Sequence, residues 1–152
     1  MDLIGIDYGR KWIGLAWGSD TLQIAVPLPA IRVHSFSQVV QSLQQLLRER
    51  NVSRLIIGLP INMDGTEGSR AQEVRSFAQQ LQAHLPVPIA FQDERLSTQT
   101  ARTFIGADRQ PLAQAKAQKN RGILDSTAAV VILEDWLAKL PFPSLSPETS
   151  FP

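Results

Sequence analysis

The chain has 152 residues, of which 43% are hydrophobic and 19% charged, and its net charge is +1. These values fit one globular domain and exclude a chain that is disordered throughout. Because the net charge is small, a nucleic-acid-binding surface would have to come from local clusters of basic residues. The absence of cysteine excludes disulfides and thiolate metal sites. There is no signal-peptide pattern and no apolar run near the ~20 residues that cross a bilayer, so we expect a soluble, cytoplasmic protein.

The first part of the chain predicts a β-hairpin followed by a third strand. The apolar run Leu3–Ile6 is typical of a buried strand, and a turn over Asp7–Lys11 joins it to a second strand over Trp12–Trp17. Residues Thr21–Val33 form a third extended segment that contains two prolines. Because proline cannot donate to a central ladder, this segment is expected to have an irregular middle or to lie at the edge of the sheet.

Helices and strands alternate through the remainder of the chain. The first predicted elements are a helix from the N-cap Ser35 to about Arg50, a strand at Leu55–Ile57 that breaks at Gly58-Leu59-Pro60, and a helix from Glu67 or Ser69 to His84. They are followed by a strand at Val87–Phe91, a helix that begins at Ser97 or Thr98, a polar irregular segment at Gly106–Asn120, and a long apolar helix at Ile123–Leu140.

This β-β-β-α-β-α-β-α-α order predicts the fold class. Antiparallel strands come first and strands joined through helices follow, which favours a mixed five-stranded sheet with helices on both faces, an α/β three-layer domain. We expect one domain over residues 1–140. Residues 141–152 are rich in proline and serine and are expected to form a flexible C-terminal tail.

Three acidic positions are candidates for a metal site. Asp7 ends the first strand, Glu94 ends the last strand with Asp93 beside it, and Asp125 lies near the start of the last helix. Ligands collect outside the carboxyl ends of strands in α/β sheets, so two of the three fall where a site is expected. Converging carboxylates repel one another unless a cation lies between them, and hard oxygen ligands select Mg²⁺ or Mn²⁺. Such a cluster is suited to phosphodiester hydrolysis.

Each acidic residue also has a structural explanation when it is taken singly. Asp7 could be an ordinary turn residue, Asp93 a helix cap, and Asp125 a helix-start residue favoured by the helix dipole. The functional interpretation therefore depends on whether the fold brings the carboxylates together.

Basic residues cluster near the acidic positions. One group lies between residues 109 and 121, without an acidic residue among them, and a second group flanks the first two acidic positions. They could bind a phosphate backbone, form a solvated surface, or pair with the carboxylates. The residues predicted to contact nucleic acid are Arg10, Lys11, Arg95, Arg109, Lys116, Lys119 and Arg121.

The connection from Gly58 to Gly68 is rich in turn-forming residues and leads into a helix. Its backbone N–H groups and the helix N-terminus could receive a phosphate. It lacks the Gly-Lys-Ser/Thr ending of a P-loop, which disfavours nucleoside triphosphate binding of that type.

Four segments together resemble one family from Met1 to about Leu140. They read IGIDYGRKWIGLA from Ile4, IGLPINMDGTE from Ile57, DERLST from Asp93 and DSTAA from Asp125. Each is weak alone, but their order and spacing are specific. The sequence resembles the YqgF family, which is associated with Holliday junction resolution and with nuclease processing of pre-16S rRNA.

The resemblance implies an RNase H-like fold related to RuvC-type resolvases. It also implies metal-dependent phosphodiester hydrolysis in which Asp7, Glu94 and Asp125 are the catalytic acids, with Asp93 as the alternate to Glu94. The implied substrate is precursor ribosomal RNA, trimmed at the 5′ end of the small-subunit RNA, or branched DNA. A junction resolvase is expected to be a homodimer, since it makes paired nicks, whereas an RNA-trimming enzyme could be a monomer.

Two other classes of function remain open on the sequence. One is a non-catalytic RNA-binding assembly or transcription factor on a nuclease fold, which would bind nucleic acid in EDTA and cleave nothing. The other is an actin-like phosphotransferase, which shares the strand-turn-strand start. Because those enzymes clamp nucleotide between two such domains and this chain has room for one, it ranks last.

Overall fold

The computed structural model describes residues 1–94 and 121–140, with side chains from position 126 onward in the second range. The elements are β1 (Asp2–Asp7), β2 (Trp12–Ser19), β3 (Ile24–Arg32), α1 (Phe36–Arg50), β4 (Val52–Leu59), α2 (Ser69–Gln82), β5 (Ile89–Asp93) and α3 (Arg121–Ala138). Within these ranges the predicted order of strands and helices is confirmed. The helix predicted from Ser97 or Thr98, the polar segment before residue 121 and the tail 141–152 lie outside the described residues.

One sheet contains all five strands in the order β3-β2-β1-β4-β5. β1 is antiparallel to β2 and parallel to β4, and β5 is parallel to β4. The sheet is therefore mixed, as predicted. β3 lies at its edge, where prolines cost no ladder hydrogen bond to a second neighbour.

The strand β4 continues further than the sequence predicted. We expected the strand to end at Ile57 and to break over Gly58-Leu59-Pro60, but Gly58 pairs with Gln92 and Leu59 pairs with Asp93 in the parallel ladder with β5. The strand ends at Leu59, so the predicted break came two residues too early. In a buried strand, glycine can instead mark a place where another group approaches the backbone closely.

Helices cover both faces of the sheet, which confirms the three-layer α/β architecture. On one face the helices α1 and α2 pack against alternate strand residues, including Ile4, Ile6 and Ile57. On the other face α3 packs against the intervening residues, including Leu3 and Ile56. This alternation follows from the two-residue period of a strand, and it assigns each strand position to the α1/α2 face or to the α3 face.

α3 lies close to the central strand because β1 carries a glycine there. A Cβ atom at Gly5 would lie 2.6 Å from Cγ of Leu133 and 2.8 Å from the carbonyl oxygen of Ala129. The start of α3 is anchored by the fully buried Ser126, whose hydroxyl accepts from the Leu15 N–H at 3.2 Å and donates to the Leu28 carbonyl. The helix is thus fixed across β1, β2 and β3.

The ends of α1 follow the sequence prediction. Ser35 is the N-cap, and its hydroxyl accepts the N–H of Gln38 at 3.1 Å, while Asn51 closes the helix in the left-handed conformation. Within the described residues, no helix combines the length and the apolar character needed to cross a membrane.

Candidate active site

Three parallel strands end at one edge of the sheet. β1 ends at Asp7, β4 at Leu59 and β5 at Asp93. The pairing continues one residue further, because the Glu94 N–H donates to the Leu59 carbonyl at 3.1 Å. This hydrogen bond to β4 fixes the backbone of Glu94, although Glu94 lies one residue beyond the end of β5.

The strand period places Asp7 and Glu94 on the same face. In β1, Ile4 and Ile6 face α1 and α2, so Asp7 belongs with Leu3 to the α3 face. At the end of β5, Glu94 lies against Gly58 and the side chain of Ile132 of α3, so it also lies on the α3 face.

Asp93 occupies the opposite face. It pairs with Leu59, whose side chain belongs to the core under α1 and α2. Adjacent residues of an extended strand point to opposite sides. Of the two neighbouring acids at the end of β5, the geometry therefore favours Glu94 as the partner of Asp7.

Gly58 provides the space in which the Glu94 carboxyl lies. A Cβ atom at Gly58 would stand 2.8 Å from Cδ and 3.0 Å from Oε1 of Glu94, and 2.5 Å from Cδ1 of Ile132. β4 runs between β1 and β5, so the carboxyl of Glu94 extends over the β4 backbone on the side of Asp7. Sequence analysis missed this role of Gly58, because it depends on the register between β4 and β5.

The two carboxylates influence one another electrostatically. Burial and, after it, the negative charge of Asp7 raise the pKa of Glu94 to about 7, while the positive charge of Arg70 acts to lower it. Asp93 adds a smaller upward contribution. Burial and the charge of Asp7 therefore favour the protonated form of Glu94 up to about pH 7. The pair has the donor chemistry of a divalent-cation site.

Asp125 lies in the first half of α3, at a position whose side chain is outside the described residues. Position 125 is one helical turn before Ala129, whose carbonyl oxygen approaches β1 at Gly5. Among the side chains that the structure describes, which do not include that of Asp125, no group of three His, Cys, Asp or Glu residues is placed to hold a metal. The structure thus brings Asp7 and Glu94 together and describes the backbone alone for the third acid.

Arg70, in the first turn of α2, lies at this edge and was not among the sequence predictions. Its Nη2 donates to the Tyr8 carbonyl at 2.7 Å, and its Cζ lies 5.7 Å from the centre of the Tyr8 ring. Tyr8 directly follows Asp7. No local pattern could have indicated Arg70, because the contact joins residues 62 positions apart in the chain.

The predicted basic residues have different environments. Arg10 forms a two-point ion pair with Glu73, at 3.0 Å from Nε and 2.9 Å from Nη2. Its hydrogen bond and charge lower the pKa of Glu73. Lys11 is exposed in the β1–β2 turn. Arg95, Arg109, Lys116 and Lys119 lie outside the described residues. Arg121 is the first residue of α3, and its side chain is not described.

Known proteins resemble the chain over nearly its whole length. A family model described as RuvX: Holliday junction resolvase matches residues 1–139. A protein of Crocosphaera subtropica is 41% identical over 134 residues, which cover 88% of this chain and 90% of that protein. A protein of Rhodobacter capsulatus is 44% identical over 140 residues, which cover 91% and 84% of the two chains. Both are named "Putative pre-16S rRNA nuclease".

Solved structures share the fold at low sequence identity. T. thermophilus RuvC in complex with a Holliday junction substrate has a TM-score of 0.56 at 15% identity, covering 89% of this chain and 91% of RuvC. The Fowlpox virus resolvase in complex with Holliday junction DNA has a TM-score of 0.52 at 13% identity, covering 91% and 100%. These likenesses confirm the RNase H-like fold that the sequence resemblance implied. The family match and the identity to the two relatives show that the chain belongs to the RuvX family, the YqgF family of the sequence comparison.

Proposed function

We propose that this chain is a divalent-metal-dependent endonuclease of the cytoplasm that processes the 5′ end of precursor 16S rRNA. The observation that carries the proposal is the position of two carboxylates, Asp7 and Glu94, on one face at the carboxyl edge of the parallel strands. The names of relatives about 40% identical over most of both chains support RNA as the substrate.

The residues present fit Mg²⁺ or Mn²⁺. Both residues are carboxylates, which these hard cations prefer. Burial is the main cause of the raised pKa of Glu94, and the second cause is the charge of Asp7, a repulsion that a cation would reduce. Asp7 and Glu94 would hold the ion, and Asp125, from the helix that packs over the same face, would be the third ligand. When bound, the ion supplies charge neutralisation at the phosphate and polarisation of the attacking water.

The protein side chains act by position. Glu94 reaches toward Asp7 because Gly58 leaves its path open, and the Glu94–Leu59 backbone hydrogen bond fixes where that path starts. Basic residues around the site would hold the RNA backbone through its phosphates, which orients the substrate without reading its sequence. We assign this role to Arg10, Lys11, Arg95, Arg109, Lys116, Lys119 and Arg121.

Resolution of branched DNA is the second candidate function. The description of the matching family, a Holliday junction resolvase, favours it. Under this alternative the chain would act as a homodimer with two active sites, because resolution needs two nicks. An enzyme that trims RNA can act as a monomer.

One experiment separates these functions. Purified protein is incubated with precursor 16S rRNA and with a synthetic four-way junction, each in Mg²⁺, in Mn²⁺ and in EDTA. We expect cleavage of the RNA in either metal, none in EDTA, and a loss of at least about 100-fold in the Asp7→Asn variant, because removal of a metal ligand removes the transition-state stabilisation that the ion supplies. The matched control is Asp2→Asn, the same change at the other end of β1.

Each other outcome contradicts a specific part of the proposal. Cleavage of the junction alone would identify a resolvase. Binding without cleavage at any metal concentration, unchanged in EDTA, would identify a non-catalytic binding protein. Full activity of Asp7→Asn would remove Asp7 from the metal site.

A further inference from the structure

Arg70 is an exposed guanidinium held at the edge of the Asp7–Glu94 site. Its hydrogen bond to the Tyr8 carbonyl, 2.7 Å long, fixes it to the residue that follows Asp7. The Tyr8 ring, 5.7 Å from Cζ, adds a cation–π contact on the same residue. These two contacts position the side chain, although the residue is exposed.

The charge of Arg70 is directed toward the acidic pair. Its positive charge acts on Glu94 from α2, against the combined effect of burial and of Asp7. Two other arginines of this part of the structure each form a two-point ion pair with a carboxylate: Arg10 with Glu73 and Arg75 with Glu67. The fork of a guanidinium has five N–H donors, and the Tyr8 carbonyl takes one of them.

We propose that Arg70 binds the substrate phosphate that lies at the Asp7–Glu94 pair, donating to its non-bridging oxygens. A phosphate brought to two carboxylates needs positive charge on its other side, and a guanidinium matches phosphate oxygens with two parallel hydrogen bonds. The inference rests on the proposed function, because it assumes that the ligand is a nucleic-acid backbone. It adds to that function a contact from α2, which the acidic residues and the basic segment before α3 do not provide.

A purely structural role is the alternative explanation. Arg70 could serve only to hold the turn after β1 through the Tyr8 carbonyl. In that case its removal would lower thermal stability, and activity would fall because the turn moves. Phosphate binding predicts effects that a structural role does not, namely a change in the salt dependence of binding and a recovery of activity with added guanidinium ion.

The first arm of the test measures cleavage. Arg70→Ala is expected to lower kcat/KM by about 10- to 100-fold, the range for a hydrogen bond between charged groups. Millimolar guanidinium chloride is expected to restore part of the activity of Arg70→Ala and to leave the wild type unchanged. Arg70→Lys keeps the positive charge but loses the planar guanidinium, so its kcat/KM is expected to lie between those of the wild type and Arg70→Ala. The control is Arg48→Ala, which removes an exposed arginine from the last turn of α1.

The second arm measures binding without cleavage and is independent of the catalytic proposal. In the Asp7→Asn background with Mg²⁺, affinity for the precursor RNA is measured over a range of salt concentrations. Loss of one phosphate contact is expected to reduce the slope of log K against log salt by about 1 in Arg70→Ala. Arg48→Ala is expected to leave the slope unchanged.

The cleavage and binding measurements distinguish failure of the Arg70 proposal from failure of the proposed nuclease function. An unchanged salt slope, or an activity loss that tracks the melting temperature and is not restored by guanidinium, would overturn the role of Arg70 while the nuclease function stands. If wild-type protein cleaves nothing but Arg70→Ala still lowers the salt slope, the proposed nuclease function fails and the phosphate contact stands.

Discussion

Replacing Glu94 with glutamine should make the protein more stable and catalytically inactive. Glu94 is a half-buried carboxyl facing Asp7, and its pKa is raised to about 7 by burial first and by the charge of Asp7 second. Above that pH the folded protein holds the negative charges of Glu94 and Asp7 close together, and the positive charge of Arg70 offsets only part of the cost. Glutamine keeps the shape of the protonated acid and carries no charge, so Glu94→Gln removes the repulsion and the metal ligand together.

The size of the effect follows from the shift. The pKa of Glu94 rises from 4.5 to about 7 on folding, which at 1.36 kcal/mol per pH unit is roughly 3 kcal/mol. Solvent screens part of this interaction because the side chain is partly open, so we expect about 2 kcal/mol. The unfolded chain loses this proton near pH 4.5 and the folded chain near pH 7. The free energy of unfolding therefore falls as the pH rises through that window and stays at its lower level above it.

The assay is urea unfolding in EDTA at pH 4.5 and pH 8, followed by circular dichroism. Glu94→Gln should exceed the wild type by about 2 kcal/mol at pH 8 and match it to within about 0.5 kcal/mol at pH 4.5, where Glu94 is protonated in the folded protein and half ionised in the unfolded chain. Glu49→Gln, the same change on the exposed surface of α1, is the control and should show no such difference. Mg²⁺ should stabilise the wild type and have little effect on Glu94→Gln, because a ligand that binds the folded state raises its stability.

Two results would refute this reasoning. If Glu94→Gln loses stability at pH 8, the carboxylate has a favourable partner in the folded protein and is not repelled. If the gain is equal at pH 4.5 and pH 8, it comes from packing and not from ionisation.

Two further substitutions test the geometry of the site. Gly58→Ala places a Cβ 2.8 Å from Cδ of Glu94, so we expect a higher Mg²⁺ concentration for half-maximal cleavage and a stability loss of about 1–3 kcal/mol. The control is Gly5→Ala, whose Cβ contacts α3 but not Glu94. It should lose stability and need the same Mg²⁺ concentration as the wild type. Asp93→Asn should retain kcat within about threefold, because its position faces away from Asp7, and a loss as large as that of Glu94→Gln would mean that Asp93 holds the ion.

The topology could be predicted because it depends on local signals. Apolar runs of strand length, helical spacing of leucines and valines, and the N-cap at Ser35 each act over a few residues. They were sufficient to predict the hairpin and the alternation that gives a three-layer fold. The two prolines of the third segment left an edge position and an irregular middle as alternatives, and the structure has β3 at the edge. The break predicted over Gly58-Leu59-Pro60 came too early, because glycine can lie within a strand as well as end one, and only the pairing with β5 decides between the two.

The candidate site could be predicted only in part, because its geometry depends on contacts between distant residues. The strand ends indicated Asp7 and the Asp93–Glu94 pair. The choice within that pair needed the register of β5 on β4, which no local pattern contains. The Arg70–Tyr8 contact spans 62 residues and the Arg10–Glu73 pair spans 63, so neither leaves a signal in a single sequence.

The arrangement at the sheet edge explains why two adjacent acids in one strand are not interchangeable. A pleated strand gives Asp93 to the α1/α2 face and Glu94 to the α3 face. Glu94 must also cross β4 to approach Asp7, which requires the longer side chain and an open path. Gly58 opens that path, since a Cβ at this β4 position would lie 2.8 Å from Cδ of Glu94 and 2.5 Å from Cδ1 of Ile132 of α3. Gly58 therefore serves two purposes: with Gly5 it lets α3 approach the sheet, and it leaves the space into which the Glu94 carboxyl extends.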